Sequence, residues 1–250
     1  MIQTALVTGA TSGIGKELCH LLLKQGVSLI ATGRDAKELE KYEGAITLIS
    51  DLTQVEDRKK LVSLIHEKKP DLVINNAGIG LYGDALDSPI SDQMQLVEVN
   101  INALTELTLE AVKMMSAHQK MGVVLNVSSV AGFLPFPGNA AYAASKAFVT
   151  NFSVALDFEC REKGIRILAA CPGMVDTAFR TRAGGKEPHV SKSGVMSARY
   201  AANQILWQIK KRKPVHIFDW KYRVGVFLMT YILPTAFTSK MMHGIILKRK

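Results

Sequence analysis

Cysteine is scarce in this chain, with three residues among 250. Cys19, Cys160 and Cys171 are odd in number, unclustered and set in apolar segments, so we expect buried, reduced thiols of the kind found in cytosolic proteins. This pattern excludes a disulfide framework and a cysteine-based metal site. The amino terminus also lacks a charged segment followed by an apolar stretch, so we expect no secretory signal and a cytoplasmic location.

Acidic residues are fewer than basic ones, 22 against 31, which gives a formal charge of +9. Much of the excess is carboxy-terminal, in Lys210-Lys211-Arg212-Lys213, Lys221, Arg223, Lys240 and Lys248-Arg249-Lys250. No zinc finger, RNP-like strand or basic helix with interleaved aromatic residues accompanies these cations. We therefore expect no nucleic-acid partner.

Long apolar runs are also lacking. The run from Val224 to Phe237 has about fourteen residues and contains Pro234, whereas a membrane-spanning helix needs roughly twenty residues. Aromatic residues and cations at Trp220 to Arg223 precede it. Three interpretations stay open for residues 220–250: a peripheral membrane contact, packing over the mouth of a binding site, and a helix buried in a subunit contact. We favour the subunit contact.

What the sequence does contain is a regular alternation of short apolar runs with helix-period segments, from residue 4 to about residue 220. The predicted strands are Thr4 to Val7, Val27 to Thr32, Ala45 to Ile49, Leu72 to Asn75, Gly122 to Val127, Ile165 to Ala170 and Val215 to Phe218. The predicted helices are Ile14 to Gln25, Ala36 to Tyr42, Gln54 to Lys68, Ser91 to Gln119, Tyr142 to Lys163 and Ser197 to Lys211. This order predicts an α/β fold of one domain, residues 1–250, around a parallel sheet.

A glycine-rich turn, Thr8-Gly9-Ala10-Thr11-Ser12-Gly13-Ile14-Gly15, follows the first strand and opens the first helix. Glycines permit a tight turn, close approach of the backbone to a diphosphate and close packing of helix on strand. The helix amino end offers free N–H groups to the anion. The spacing is G-x-x-x-G-x-G instead of the common G-x-G-x-x-G, but the position between strand and helix predicts a dinucleotide-binding turn.

The end of the second predicted strand bears on which dinucleotide binds. A carboxylate there would bind the ribose 2′-hydroxyl of NAD, whereas a guanidinium would bind the 2′-phosphate of NADP. Gly33 leaves no carboxylate at the strand end, and Arg34 follows with a fork suited to phosphate. We therefore prefer NADP(H). Asp35 is the competing residue, although it also suits the cap of the helix that begins at Ala36.

Tyr142 and Lys146 are four residues apart in a predicted helix and are therefore neighbours on its surface. An ammonium close to a phenol lowers the phenol's pKa from about 10, toward the range useful for proton transfer. Ser129 stands at the end of a predicted strand, where it brings a hydroxyl to the carboxyl edge of the sheet. On its own a tyrosine–lysine pair is more often a surface contact, but the neighbouring motifs favour an acid–base pair.

These elements, in this order, resemble the short-chain dehydrogenase/reductase family in its single-domain form. The motifs that carry the resemblance are the turn from Thr8 to Gly15, Asp51-Leu52, Asn75-Asn76-Ala77-Gly78, Asn100, Ser128-Ser129, Tyr142 with Lys146, and Pro172-Gly173 with Thr177. The resemblance implies a Rossmann-type doubly wound sheet of seven strands, order 3-2-1-4-5-6-7, with helices on both faces. It also implies a homodimer or homotetramer and hydride transfer between NADP(H) and a carbonyl or alcohol.

The resemblance assigns roles to the catalytic candidates. Tyr142 would be the general acid or base, Lys146 would lower its pKa and hydrogen-bond the nicotinamide ribose, and Ser129 would polarise the substrate carbonyl. Ser128 is the rival for that last role, because only one of two adjacent strand residues faces a given side. Asn100 would hold a water that connects Lys146 to solvent, or else would be an asparagine at a helix kink.

The resemblance also implies the nucleotide contacts. Asp51 and Leu52 would flank the adenine, residues 76–78 would lie under the adenosine ribose, and Val175 and Thr177 would hold the carboxamide. The complete predicted set is Gly9, Thr11, Ser12, Gly13, Ile14, Gly15, Arg34, Asp51, Leu52, Asn76, Ala77, Gly78, Tyr142, Lys146, Pro172, Gly173, Val175 and Thr177. No metal is expected.

Residues 176–197 are placed where this family carries its substrate lid. Phe133, Leu134, Phe136 and Phe179 are predicted to line an apolar substrate cleft, although they could instead belong to the core. We therefore expect an oxidoreductase acting on an apolar carbonyl or alcohol. The alternatives are a catalytically silent NADP-binding sensor or scaffold, and a lipid-surface protein whose main part is residues 220–250.

Overall fold

The computed structural model describes residues 2–185 and 194–247. Its strands are β1 (Thr4–Thr8), β2 (Ser28–Gly33), β3 (Ile46–Ile49), β4 (Leu72–Asn75), β5 (Gly122–Val127), β6 (Ile165–Cys171), β7 (Met174–Asp176), β8 (Val195–Ser197) and β9 (Val215–Ile217). Its α-helices are α1 (Gly13–Lys24), α2 (Ala36–Leu39), α3 (Val55–Lys68), α4 (Ile90–Val97), α5 (Leu104–Ala117), α6 (Ala140–Cys160), α7 (Phe179–Arg182), α8 (Ala198–Lys211), α9 (Trp220–Phe227) and α10 (Thr235–Leu247). Glu98–Ala103 and Leu228–Ile232 are π-helical, and Val130–Phe133 and Arg161–Lys163 are 3-10 turns.

Seven strands form one parallel sheet in the order β3-β2-β1-β4-β5-β6-β9. Each predicted strand is present with ends that differ by at most one residue, and β9 is the seventh of them, so the predicted topology is confirmed. The central strand β1 sets the register on both sides, because Val7 lies opposite Ala31 of β2 and Ile74 of β4. The short strands β7 and β8, which the sequence analysis did not predict, pair with each other in a separate parallel sheet.

Helices cover both faces of the sheet because successive strand residues enter different apolar cores. Ala5 and Val7 of β1 belong to the core that contains residues of α1 and α8. Leu6, between them, belongs to the core that contains residues of α3, α5 and α6. Strands buried on both faces are continuous apolar runs in the sequence, which is why the pattern predicted β1, β2, β4, β5 and β6 so closely.

The helices differ more from prediction than the strands do. The second helix ends at Leu39 instead of Tyr42, because the Tyr42 ring is buried and its hydroxyl donates a 2.6 Å hydrogen bond to the Ala10 carbonyl. The long predicted helix 91–119 is helical over 90–117, but its middle widens into the π-helical segment Glu98–Ala103. The helix predicted over 142–163 begins two residues earlier and ends in a 3-10 turn.

Residues 220–247 fold as α9, the π-helical turn and α10, with Pro234 immediately before α10. Across the described ranges, none of the helices combines the length and the apolar character that crossing a bilayer requires. The three cysteines are buried free thiols, as predicted.

Candidate active site

A cavity of about 820 Å³ lies at the carboxyl edge of the sheet, where β1, β4, β5 and β6 end. All the predicted catalytic and nucleotide-binding residues line it except Gly15 and Asn100. The structure therefore brings together residues that lie up to 168 positions apart, from Gly9 to Thr177.

The glycine turn wraps the start of α1 against the ends of β1 and β4. Gly9 and Gly13 have φ values of +65° and +53°, which favour glycine over residues with a side chain. A Cβ at Gly15 would lie 2.2 Å from the Gly9 carbonyl oxygen, so this glycine permits the close packing of helix on strand. Gly15 therefore packs against the backbone of the turn and does not line the cavity.

Thr8 and Asn76 tie this turn to the loop after β4. The Thr8 hydroxyl accepts hydrogen bonds from the backbone N–H groups of Asn76 and Ala77, each at 3.0 Å. The Asn76 amide donates to the carbonyls of Thr8 at 3.0 Å and Gly9 at 3.2 Å. Sequence reasoning did not give Thr8 a role. The available signal was a hydroxyl at the last position of an apolar strand.

Cations gather where the cavity meets a smaller recess after β2. Arg34, Lys37 and Arg182 all line this recess. The Asp35 carboxylate instead accepts a 3.2 Å hydrogen bond from the Glu38 backbone N–H and caps α2, as its alternative interpretation predicted. The end of β2 thus presents positive charge, and its nearest carboxylate is engaged by the helix that follows.

Arg182, from the segment predicted as a lid, reaches across to the glycine turn. Its Nη2 donates a 2.8 Å hydrogen bond to the Ser12 hydroxyl. Sequence reasoning missed Arg182, because no spacing rule places a residue of α7 beside the first helix. It also missed Lys37, which lies in α2 and lines the same recess.

Tyr142 and Lys146 both face the cavity from α6. The Lys146 Nζ donates a 2.9 Å hydrogen bond to the Val127 carbonyl and lies 5.7 Å from the centroid of the Tyr142 ring. Burial lowers the pKa of Lys146 to about 8. Burial also raises the pKa of Tyr142, although the neighbouring Ser129 hydroxyl acts in the opposite direction. The depressed tyrosine pKa that we expected is not present in the chain itself, because desolvation outweighs the effect of the neighbours.

The two adjacent serines have separate surroundings. Ser128 donates a 2.7 Å hydrogen bond to the Lys146 carbonyl and lies 2.7 Å from the Thr150 hydroxyl, so α6 engages its oxygen. The Ser129 hydroxyl accepts a weak 3.2 Å hydrogen bond from the Ala131 N–H and interacts with Tyr142. Of the two, Ser129 is thus the one whose hydroxyl lies beside the tyrosine.

Asn100 is fully buried in the π-helical segment, behind the cavity wall. Its amide nitrogen donates to the Ile79 carbonyl at 2.9 Å and to the Ser145 hydroxyl at 3.1 Å, and its oxygen accepts from the Ile79 N–H at 2.8 Å. These bonds fix the loop after β4 against α6. The side chain therefore stands at an irregular helix turn, which agrees with the structural alternative for this residue.

The end of the cavity predicted to bind the substrate has several apolar side chains in its wall. Leu134, Phe136 and Phe179 line it as predicted, and the Phe179 ring centroid is 5.8 Å from that of Tyr142. Phe133 does not line it. Arg180 and Asn139 are polar residues of the lining. Within the described residues the Arg180 Nε and Nη1 and the Asn139 Oδ1 are buried and have no hydrogen-bond partner. Residues 186–193 of the predicted lid lie outside the described residues.

The C-terminal helices complete this end of the cavity. This is the interpretation in which residues 220–250 pack over the mouth of a binding site, whereas the sequence analysis favoured a subunit contact. Val226, Met229, Met242 and Ile245 all line it. Tyr222 also lines the cavity, and its hydroxyl accepts a 3.0 Å hydrogen bond from the Met174 N–H and donates to the Gly194 carbonyl at 2.8 Å. These contacts show that residues 220–247 pack over the cavity of their own chain.

The chain is similar in sequence to a known family and to a curated relative. A family profile described as short chain dehydrogenase matches residues 3–188. The chain is 32% identical over 230 residues to serine 3-dehydrogenase of Rhizobium radiobacter, which covers 87% of this chain and 92% of the relative.

Two solved structures share the fold. A short-chain dehydrogenase from Sphingobium yanoikuyae in complex with NADPH has a TM-score of 0.82 and 28% identity, covering 93% of this chain and 96% of the other. A bulky-bulky ketone specific alcohol dehydrogenase from Comamonas testosteroni has a TM-score of 0.77 and 25% identity, covering 99% and 95%.

Proposed function

Because the chain belongs to the short-chain dehydrogenase family, we propose that it is an NADP(H)-dependent oxidoreductase that interconverts a carbonyl and an alcohol on an apolar substrate. The observation that carries this proposal is the common cavity, in which Ser129, Tyr142 and Lys146 lie with the glycine turn. The related enzymes include one crystallised with NADPH and one specific for bulky ketones.

The chemistry that NADPH supplies when bound is a hydride. In the reducing direction Tyr142 donates its phenolic proton to the carbonyl oxygen, and Ser129 hydrogen-bonds the same oxygen. The buried phenol stays protonated at neutral pH because its pKa is raised. Lys146, whose pKa is lowered to about 8, is still largely cationic there and stabilises the phenolate that proton transfer leaves behind.

The residues around the cavity fit the nucleotide in segments. The glycine turn and the amino end of α1 suit the diphosphate. Arg34, with Lys37 and Arg182 nearby, suits the 2′-phosphate, because three cations surround that recess. We propose that Asp51 and Leu52 flank the adenine, residues 76–78 contact the ribose, and residues 172–177 contact the nicotinamide, all from the cavity wall.

The remaining assignments complete the proposal. Asn100 holds a water that connects Lys146 to solvent. This water donates to the Asn100 side-chain oxygen, which also accepts from the Ile79 N–H, since both amide donors are engaged by Ile79 and Ser145. Residues 176–197 act as the substrate lid of a single domain, and the enzyme works in the cytoplasm as a homodimer or homotetramer.

A second candidate substrate class is a carbonyl compound with an acidic group. Two buried nitrogens of Arg180 at the cavity wall, Nε and Nη1, have no partner among the described residues, and a substrate carboxylate would supply an acceptor there. The relative named serine 3-dehydrogenase is named for a substrate that carries such a group.

The test is the rate of NADPH oxidation with a panel of ketones and aldehydes of graded size and polarity, each with and without a carboxylate. Turnover that increases with apolar size supports the main proposal. A preference for the acids that is lost in Arg180→Gln supports the second. Turnover of none of these compounds, with NADPH binding intact, would contradict the proposed reaction.

A further inference from the structure

Helix α9 and the π-helical turn after it have two different apolar faces. One face, with Tyr222, Val226 and Met229, lines the cavity. The other carries Trp220, Val224, Phe227 and Tyr231, which are exposed by 63%, 47%, 55% and 74%. Their spacing follows the three- and four-residue period of a helix, so they form one continuous stripe.

Helix α10 repeats this arrangement. Met242 is buried and lines the cavity, whereas Phe237 and Met241 are exposed by 57% and 38%. We call Trp220, Val224, Phe227, Tyr231, Phe237 and Met241 together the C-terminal apolar surface. Four exposed apolar residues follow one face of α9 and its π-helical turn, with the ring centroids of Phe227 and Tyr231 5.6 Å apart, and an apolar stripe of this kind marks an interaction site.

Charge indicates what covers this surface. The exposed cations Lys221, Arg223 and Lys240 belong to the same two helices. Residues 220–247 contain no Asp or Glu, and Asp219, just before α9, caps that helix by accepting from the Lys221 N–H. A second copy of this chain seated here by a two-fold axis would bring both sets of cations into one interface, with no carboxylate of residues 220–247 to neutralise them.

We propose that the C-terminal apolar surface rests on an anionic lipid bilayer, and that the enzyme takes its carbonyl substrate from that bilayer. Trp and Tyr are enriched at the boundary between lipid and water, and Lys and Arg beside an apolar helix face bind anionic headgroups. One layer of helix separates this surface from the cavity, since the same helices form both. The substrate class is therefore a carbonyl compound dissolved in lipid, an inference that rests on the proposed reductase function.

The binding test uses the full-length protein and sedimentation with vesicles of phosphatidylcholine alone or with phosphatidylserine added. We expect binding to the anionic vesicles, weakened as salt is raised from about 0.1 M to about 1 M, where the Debye length falls from ~10 Å to ~3 Å. The double variant Trp220→Ser/Phe227→Ser should bind more weakly by about tenfold or more, because it removes two large apolar side chains from the contact. Met121→Ser is the control, since Met121 is 68% exposed and precedes β5 at the amino edge of the sheet, opposite the cavity.

Two outcomes would overturn the proposal: wild-type protein that stays in solution with both kinds of vesicle, or a double variant that binds as well as the control. A change of molecular mass in the double variant without lipid, together with no vesicle binding by the wild type, would assign the surface to a subunit contact instead.

Activity separates this proposal from the proposed reaction. The double variant should reduce a short water-soluble ketone as fast as the wild type but should lose most of its rate on a long-chain ketone carried in anionic vesicles. Tyr142→Phe should bind vesicles normally and reduce neither. Equal rates of the double variant and the wild type on the vesicle-borne ketone would show that the substrate does not enter from lipid.

Discussion

The Arg182 guanidinium donates a 2.8 Å hydrogen bond to the Ser12 hydroxyl, joining α7 to the turn that opens α1. This cation is therefore in place to contact a nucleotide phosphate from the substrate side of the cavity. Arg182→Gln should raise the KM for NADPH about five- to tenfold, since a charged hydrogen-bond donor is lost. It should change kcat little. Arg199→Gln, which breaks a surface ion pair with Glu17, is the control. An unchanged KM for NADPH in Arg182→Gln would show that Arg182 does not contact the nucleotide phosphate.

Tyr142→Phe removes the phenolic proton and keeps the ring. We expect kcat to fall about a hundredfold to ten thousandfold, the usual contribution of a general acid or base. NADPH affinity, measured by fluorescence titration, should stay within about twofold, because mainly the proton donor is lost. Tyr200→Phe, a change at an exposed ring, should have no effect. Wild-type turnover by the Tyr142→Phe enzyme would exclude this tyrosine as the acid.

Arg34→Asp replaces the cation at the end of β2 with a carboxylate. The ratio of kcat/KM for NADPH to that for NADH should fall roughly a hundredfold, because charge-assisted hydrogen bonds to the 2′-phosphate are lost and repulsion is added. Lys163→Asp changes the net charge equally at an exposed position far from the recess in sequence. If both variants keep the cofactor preference of the wild type, Arg34 does not read the 2′-phosphate.

Lys146 should determine the alkaline side of the pH profile. Burial lowers its pKa to about 8, so the ammonium is present below that pH and is lost above it. The kcat/KM for ketone reduction at saturating NADPH should therefore fall as pH rises through about 8. Lys146→Arg stays charged throughout this range, so its profile should lose that fall even though its rate is lower. The same fall in the arginine variant would assign it to another group.

Strands β1, β2, β4, β5 and β6 could be predicted from the sequence because their side chains are largely buried on both faces, so each is an apolar run. The ends of β4 and β5 were predicted to the residue. The edge strand β3 is largely exposed, and its apolar residues alone predicted it. The pair β7 and β8 could not be predicted, because each strand has three residues and their pairing depends on the tertiary structure. The early end of α2 likewise depends on Tyr42, whose bond to Ala10 spans 32 positions.

In the candidate site, motifs predicted which residues meet but not what each one contacts. The sequence places Tyr142 and Lys146 on one helix face, yet burial, which determines their pKa values, depends on every element around them. Asn100 was predicted near the site, but its bonds to Ile79 and Ser145 could not be read from spacing. The roles of these residues in turnover stay predictions.

The ring of Tyr222 occupies the space next to Gly173, where a Cβ would come within 2.2 Å of the ring atom Cε2. The two positions therefore constrain each other sterically, although Gly173 follows β6 and Tyr222 lies in α9. A side chain at position 173 would require a smaller residue at 222, and with it the loss of the hydroxyl that joins α9 to Met174 and Gly194. The absence of a Cβ at residue 173 thus allows α9 to dock beside the end of β6.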